Sequence, residues 1–382
     1  MPRTKEIRVP IATKLVLSFL IIVVFISTIY MIVGVQLISN RIVSEAQDKV
    51  RHDLNAAREL YLSNLEQINS AVRINANRFF LRDALLTGNF SEAYHELQQV
   101  RQGEGLDVLT LTDETGEVIL RTSFFDHTGD NQADNELVKA VLEYNVPVSS
   151  TLLVTGEELN QESPLLANQA HISFIETPLA RERDETEETA GMMLIAGAPV
   201  FDDQNDLIGV LYGGTLLNRN FGIVDKVKET VYEEVQYKGK DIGTATIFQD
   251  DVRISTNVEN EDGTRALGTR VTEEVYNQVV GHGQPWIGRA YVVNNWYITA
   301  HEPIRDIAGK IIGILYVGVL EEKYNDIRQS MIITFGAITI AGVLVALIVS
   351  YFIARWILIP IFKLIDASKA VAGGDLNTKV EI

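Results

Sequence analysis

The residues of this 382-residue chain best suited to proton transfer or metal binding are six histidines, and none shows the spacing of a known metal motif. They are His52, His95, His127, His171, His282 and His301. The sequence contains no His-Glu-x-x-His, Gly-x-Ser-x-Gly or P-loop motif. Cysteine is absent, which excludes disulfides, thiol catalysis and cysteine-based metal sites. We therefore predict no catalytic residue, no metal site and no cofactor.

Glycines at Gly209 and Gly213-Gly214 could form a phosphate cradle, since a glycine lets the backbone approach a ligand closely. They lie in a β-rich hairpin, however, and no Gly-Lys-Ser/Thr follows them. Close packing or a bulge within a strand is the better interpretation.

Two apolar runs, residues 15–40 and 329–354, each contain 26 residues without one charged side chain. A helix of that length reaches ~39 Å, which exceeds the roughly 30 Å of a membrane hydrocarbon core. A cleaved signal peptide is the alternative for the first run, because basic residues precede it. The run is about twice as long as a signal-peptide core and no A-x-A-like site closes it, which favours a membrane anchor.

The basic flanks predict that both chain ends are cytoplasmic: residues 1–14 as an N-terminal segment, and residues 355–382 after the second span. These flanks carry +3 and +1, so the whole-chain charge of −18 leaves −22 for the remainder. Residues 41–328 should therefore form an acidic extracytoplasmic domain. This acidity argues against nucleic acid or anionic lipid as its partner, since both would be repelled.

Periodicity along this domain predicts an α+β fold. Apolar residues recur at threes and fours from Val43 to Val72, which indicates a long helix within a helical region at 41–104. A β-rich unit follows at 105–220 and a second at 221–325. Residues 152–189 are long for a loop and rich in acids, so we expect them to be solvated and mobile.

A fixed offset of 104 residues relates the two β-rich units. The first set of matching residues is Pro199, Asp202, Ile208, Gly209, Leu211, Tyr212, Gly214 and Leu216. Their identical counterparts are Pro303, Asp306, Ile312, Gly313, Leu315, Tyr316, Gly318 and Leu320.

Residues 41–325 resemble the double Cache sensor ectodomain of bacterial and archaeal receptors. The segments that carry the resemblance are Gly191 to Asn220 and Gly243 to Tyr324, within which GTATIFQDDVRISTN and WYITAHEPIRDIAGKIIGILYVGVLEEKY are the most specific. It implies a long helix as the spine of two tandem PAS-like antiparallel-sheet modules, the membrane-distal module first and the membrane-proximal module second.

The resemblance also implies a small polar ligand, often a carboxylate held by arginine and tyrosine, between a sheet and the segments that cover it. Arginine suits a carboxylate because its planar fork makes two charge-assisted hydrogen bonds. Candidates in the distal module are Arg121, His171, Arg181, Arg183 and Tyr212, and in the proximal module Arg253, Trp286, Arg289, Tyr291, Tyr297 and Tyr316. The alternative for the tyrosines is core packing, and for Arg181 and Arg183 a solvated surface.

Behind the second span, Pro360 can begin a fresh helix, and Gly373-Gly374-Asp375-Leu376 should end it. This stretch resembles the first half of a HAMP linker, a parallel dimeric bundle. Its relay residues would be Pro360, Leu364, Val371, Gly374, Asp375 and Leu376. We expect a homodimeric receptor truncated before its output domain.

The resemblance favours a sensor histidine kinase as the intact protein. A chemotaxis transducer is the nearest alternative and a cyclic-dinucleotide enzyme the third. A non-signalling, surface-anchored binding protein is a further alternative, which the HAMP-like stretch disfavours.

Overall fold

A computed structural model describes residues 11–124 and 127–373 of the chain. It divides into two compact units. One is Ala46–Glu322, and the other contains the described residues on either side of it. Each unit is described by itself.

Helices at the start of the first unit follow the predicted apolar periodicity. Helix α1 (Ile11–Ala76) buries Val50, Leu54 and Ala57, which recur at threes and fours along one face. Two shorter helices follow, α2 (Phe79–Thr87) and α3 (Ser91–Gly103), and Gly88 ends α2 with a φ of 71°.

The distal module is a five-stranded antiparallel sheet in the order β2-β1-β7-β6-β3. Its strands are β1 (Val108–Asp113), β2 (Val118–Arg121), β3 (Val148–Val154), β6 (Gly191–Phe201) and β7 (Leu207–Leu216). One face is covered by α4 (Glu136–Tyr144), α5 (Gly156–Glu162) and α6 (Pro164–Ala170). These helices contribute Leu137, Val138, Leu159, Leu166 and Ala170 to the core.

Our expectation that residues 152–189 are solvated and mobile is wrong. They begin in a sheet strand, β3, continue through α5 and α6, and include the short pair β4 (Ile172–Ser173) and β5 (Glu187–Glu188). Several of the acidic residues that suggested a solvated loop form helix caps and ion pairs. Thr155 and Glu158, for example, form a reciprocal capping box at the start of α5.

The proximal module is a second five-stranded sheet, β11-β10-β14-β13-β12, with the same topology as the first. Helix α7 (Gly222–Tyr232) and the pair β8 (Gln236–Tyr237) and β9 (Lys240–Asp241) lead into it. Its strands are β10 (Gly243–Gln249), β11 (Val252–Thr256), β12 (Trp286–Val292), β13 (Asn295–Arg305) and β14 (Ile311–Leu320). A short helix α8 (Glu273–Tyr276), continued by a π-helical turn at Asn277–Gly281, covers one face.

The 104-residue repeat corresponds to the hairpin at the centre of each sheet. Pro199 pairs with Val210 in the distal hairpin, and Pro303 pairs with Ile314 in the proximal one, so the two registers are the same. Both hairpins also have an irregularity just after that pair. Gly209 lies where an added Cβ would be 2.3 Å from the Thr112 carbonyl, which explains it by packing.

Helix α1 contacts both modules. Its Tyr61 hydroxyl lies 2.6 Å from the Thr151 hydroxyl of β3, and its Arg58 Nε donates to Glu302 of β13 at 2.8 Å. This agrees with the predicted role of a shared spine.

The second unit contains the N-terminal part of α1 and most of α9 (Glu321–Ala372). Both helices are long and apolar enough to cross a membrane. The fresh helix expected at Pro360 is wrong, because α9 continues through this proline. The fixed φ of proline is compatible with a helix, although its ring removes one hydrogen bond and crowds the carbonyl four residues before it. Leu364 lies on α9 and Val371 belongs to its last turn, whereas Gly374, Asp375 and Leu376 lie outside the described residues.

Candidate functional site

A cavity of about 560 Å³ lies on the covered face of the proximal sheet. Its floor includes Arg253 of β11 and Trp286 of β12. Its wall includes Thr272, Glu273 and Glu274 around the start of α8. The segment Ile175–Leu179, which follows the distal module's β4, completes the lining.

Arg253 is the unusual residue of this cavity. It is 4% exposed, and its Nε and Nη1 have no hydrogen-bond partner within the described part of the chain. Its guanidinium carbon lies 5.2 Å from the centroid of the Phe248 ring. Burial lowers the pKa of Arg253 to about 10, which still leaves it charged at neutral pH. A buried charge without a partner is costly, so its retention requires an explanation.

Aromatic rings surround this arginine on the same face. The His301 ring centroid lies 5.4 Å from that of Trp286 and 4.9 Å from that of Tyr316. Burial, and secondarily the positive charge of Arg253, lowers the pKa of His301 to about 3. His301 is therefore neutral, and its Nδ1 also has no partner among residues 11–124 and 127–373.

Two tyrosines supply neutral hydroxyl groups near the arginine. The Tyr316 hydroxyl lies 3.1 Å from the Thr244 hydroxyl, and burial raises its pKa above the ordinary value. Burial also raises the pKa of Tyr297, to about 12. Both phenols therefore stay protonated at neutral pH, and can donate hydrogen bonds.

Together these groups suit an anion with an apolar body. Arg253 has two nitrogens, Nε and Nη1, without a partner among the described residues, and a carboxylate would accept a charge-assisted hydrogen bond from one of them. Trp286 and the aromatic rings beside it provide the apolar surface that ligand pockets commonly have. Within the described ranges no group of three or more histidine, aspartate or glutamate side chains is placed to hold a metal ion.

Residues 174–186 form a segment that we call the strap, and its first part, Ile175–Leu179, covers the cavity. The Ile175 N–H donates to the Gly268 carbonyl (2.9 Å), and the Leu179 carbonyl accepts from the Glu273 N–H (2.8 Å). Leu179 has a φ of 63°, an uncommon conformation for a side chain of its size. The proximal site is therefore built by both modules.

An ion-pair cluster fastens the strap to the proximal module. The side chain of Asp251 is completely buried and pairs with three arginines. They are Arg181 (3.1 Å), Arg183 (2.8 Å) and Arg270 (2.6 Å). These arginines keep the pKa of Asp251 below its ordinary value, although burial by itself would raise it. Arg181 and Arg183 were expected in a distal binding site or on a solvated surface, and the structure places them in this cluster.

The distal module contains a different arrangement. Thr110 pairs in register with Arg121 on one side and with Tyr212 on the other, so the three side chains form a row across β2, β1 and β7. The Glu162 carboxylate lies against this row. It accepts hydrogen bonds from the hydroxyl groups of Tyr212 (2.7 Å) and Thr110 (3.0 Å), and it lies 3.1 Å from Arg121 Nε.

Arg121 is completely buried and has a second carboxylate partner, Asp130. Its Nη2 donates to Asp130 Oδ2 at 2.8 Å, and its Nη1 donates to the other oxygen and to the His127 carbonyl. This pairing lowers the pKa of Asp130 to about 2. Burial would lower the pKa of Arg121, but the two carboxylates raise it overall.

The structure thus brings together only some of the predicted site residues. Arg253 and Trp286 line the proximal cavity with Tyr297 and Tyr316 buried beside them, and the exposed Arg289 and Tyr291 complete its outer lining. His171 lies elsewhere, 45% exposed and 2.9 Å from Glu187. Sequence reasoning missed His301, Asp250, Asp251, Arg270 and Glu162. The alternation Tyr297, Thr299, His301 along a strand could have revealed the histidine, because alternate residues share a face.

Comparisons with known proteins cover the same region. Residues 215–331, which include the proximal sheet, match the family model described as Single cache domain 3. No curated protein matches the chain.

Solved sensor domains are similar over most of the chain, at low identity. The periplasmic domain of Vibrio cholerae LuxQ is 12% identical, with 71% of this chain and 99% of that one covered and a TM-score of 0.41. The sensor domain of the V. cholerae histidine kinase DctB is also 12% identical, with 72% and 98% covered and a TM-score of 0.39. The ligand-binding domain of the Campylobacter jejuni chemoreceptor Tlp3, solved with L-valine, is 10% identical, with 76% and 97% covered and a TM-score of 0.41. At these values neither ligand nor output is transferred to this chain.

Proposed function

We propose that this chain, which contains a Cache sensor ectodomain, is a transmembrane receptor that binds a small organic anion in its proximal module. Residues 41–328 would lie outside the cytoplasm, with both termini inside. The ligand would place a carboxylate on Arg253 and an apolar part against Trp286.

A single observation carries this proposal: Arg253 is buried at a cavity with two N–H groups unused. Leaving such groups unpaired costs roughly 1–3 kcal/mol or more. A bound carboxylate would accept a charge-assisted hydrogen bond from one of them and so reduce that cost. The unpaired arginine thus destabilises the ligand-free protein relative to the ligand-bound one. A sensor requires such a free-energy difference between its two states.

The test is a thermal-denaturation screen of the chain in detergent against organic acids, amino acids, amines and metal salts. A ligand at 100 times its dissociation constant should add about 2.7 kcal/mol to the free energy of unfolding. We expect a saturable increase in Tm for a carboxylate and none in Arg253→Met.

A matched control is Arg305→Met, which removes an exposed arginine from the same sheet. This variant should respond to the carboxylate as the original chain does. A carboxylate response that survives in Arg253→Met, or no response to any organic anion, would contradict the proposed site.

For the output, we propose that α9 passes the ligand signal to a HAMP-type dimer and then to a histidine kinase domain beyond residue 382. The sequence from Pro360 to Leu376 supports a HAMP linker, and the family resemblance favours a kinase. Membranes containing the intact receptor should incorporate phosphate from ATP into a histidine in a ligand-dependent way. Ligand-dependent methylation of glutamates without such labelling would instead identify a chemotaxis transducer.

Pro360→Ala tests the relay. It should leave ligand binding intact and change the ligand-dependent output, because it restores a helix hydrogen bond behind the span. An unchanged output would count against a relay function for this position.

A further inference from the structure

The carboxylate of Glu162 in the distal module is held as a bound ligand would be held. It lies between a sheet and the helix that covers it and is 7% exposed; Thr110 and Tyr212 donate hydrogen bonds to it, and Arg121 Nε lies 3.1 Å away without forming one. These three residues belong to neighbouring strands in one register row. We propose that Glu162 is a resident carboxylate ligand of the distal module, occupying an anion site that a free carboxylate can take in its place.

Charge balance distinguishes this arrangement from an ordinary buried ion pair. Asp130 already neutralises Arg121 through a two-oxygen contact from the loop that follows β2. Glu162 therefore adds a second negative charge to a site that has one positive charge. Replacing it by another carboxylate leaves the net charge of the site unchanged, so the exchange avoids the large cost of changing a buried charge.

The position of Glu162 makes such an exchange feasible. It is the last residue of α5, a helix of only seven residues, and it comes from the covering layer while the three contacted residues belong to the sheet. Withdrawal of this side chain would leave the donors in place. The helix itself is fixed independently, by the buried Leu159 and by the capping box at Thr155.

The segment that carries Glu162 also continues into the strap that roofs the proximal cavity. Residues 156–170 form α5 and α6, and residues 174–186 follow. Occupation of the distal site by a free carboxylate would therefore act on the segment that closes the proximal site. Two anion sites, one occupied internally and one open, would be joined by a single stretch of chain.

The experiment is a carboxylate titration of Glu162→Ala in the full chain, in detergent. It is done in the Arg253→Met background, so that the proximal site cannot contribute and failure of either proposal is seen separately. Formate and acetate, with sodium chloride at equal ionic strength as reference, should give a saturable increase in the Tm of Glu162→Ala/Arg253→Met. The Arg253→Met parent should respond only at higher carboxylate concentrations, because Glu162 competes for the site.

A further variant locates the response. Glu162→Ala/Arg121→Met/Arg253→Met should lose it, since the remaining hydroxyl groups cannot replace the guanidinium. If Glu162→Ala does not fold unaided, refolding in formate and in chloride gives the same information, and recovery only in formate supports the proposal. A folded Glu162→Ala variant without a carboxylate-specific shift, a shift of equal size in the parent, or no recovery in formate would each overturn it.

Discussion

The distal and proximal modules each bury an arginine beside the tyrosine of the repeated hairpin, Tyr212 in one and Tyr316 in the other, but surround it differently. In the distal module Arg121 contacts two carboxylates from the chain itself, although its Nε makes no hydrogen bond to any residue that the structure describes. In the proximal module Arg253 has two N–H groups without a partner among the described residues. The same sheet thus supports one closed charge network and one open charge.

The register explains how the difference arises. Thr256 lies in the row position that Arg121 has in the distal sheet, where it bonds to the neighbouring Thr246 hydroxyl instead (2.6 Å). His301 pairs with Tyr316 where the distal sheet has the small Gly197 beside Tyr212. The repeated residues therefore maintain the hairpin, while the ligand chemistry depends on positions outside the repeat.

We expect the largest effect from a substitution that disrupts the charge network of Arg121, Asp130 and Glu162. Arg121→Met leaves Asp130 and Glu162 in place without their cation, and removing one partner of a buried ion pair costs about 3–5 kcal/mol. The free energy of unfolding, measured by denaturant titration, should fall by that amount.

Arg253→Met is the matched substitution in the open module. It removes a buried charge that has no partner, so the free energy of unfolding should stay the same or rise. Equal losses for Arg121→Met and Arg253→Met would show that the comparison between a closed and an open site is wrong.

The ion-pair cluster on the strap gives the next effect. Asp251→Asn keeps the shape of the side chain but removes the buried anion from three arginines. We expect a loss somewhat below the roughly 3–5 kcal/mol of a broken buried pair, because Asp250 still pairs with Arg181 and Arg183. Because the strap roofs only the proximal cavity, hydrogen exchange should accelerate at residues 174–186 and stay unchanged in β1 and β7. Uniform acceleration across both sheets would mean that the cluster stabilises the whole ectodomain and does not act as a local closure.

The sequence predicted the frame of both modules better than their sites. Periodicity identified the long helix and the two β-rich units, and the 104-residue offset identified the central hairpin of each sheet. The sequence could not place Arg181 and Arg183 in an ion-pair cluster, because their partners, Asp250 and Asp251, lie some 70 residues away and no local pattern joins them. Glu162 was missed for the same reason, because its partners lie on three strands that become neighbours only when the sheet forms.

A smaller effect appears in the dependence of stability on pH. The pKa of His301 is about 3 in the folded protein, below its value in the unfolded chain. Its contribution to the stability of the folded protein is therefore complete above about pH 6.5 and is lost progressively as the pH falls toward 3. At 1.36 kcal/mol per pH unit, the loss between pH 6.5 and 5 is about 2 kcal/mol. Asp130, with a folded pKa of about 2, contributes stability that is lost only below about pH 4.

Denaturant titrations from pH 7 to 5 measure this difference. His301→Gln should remove most of the pH dependence in that window, whereas His171→Gln, which changes an exposed histidine, should not. An unchanged slope in His301→Gln would mean that the proximal face is not as dry as the burial of His301 indicates.

The smallest effect concerns the helices that cover the two sheets. Asn135 caps the distal helix α4 by accepting from the Leu137 N–H (3.0 Å) and the Val138 N–H (3.4 Å), whereas Thr272 at the start of α8 makes no such bond. Asn135→Ala should therefore lower the free energy of unfolding by about 1 kcal/mol. Thr272→Ala should change it by less than about 0.5 kcal/mol. A ligand can enter the proximal cavity more easily if the helix that covers it is less firmly capped. Equal losses in the two variants would remove this reason for placing the ligand site in the proximal module.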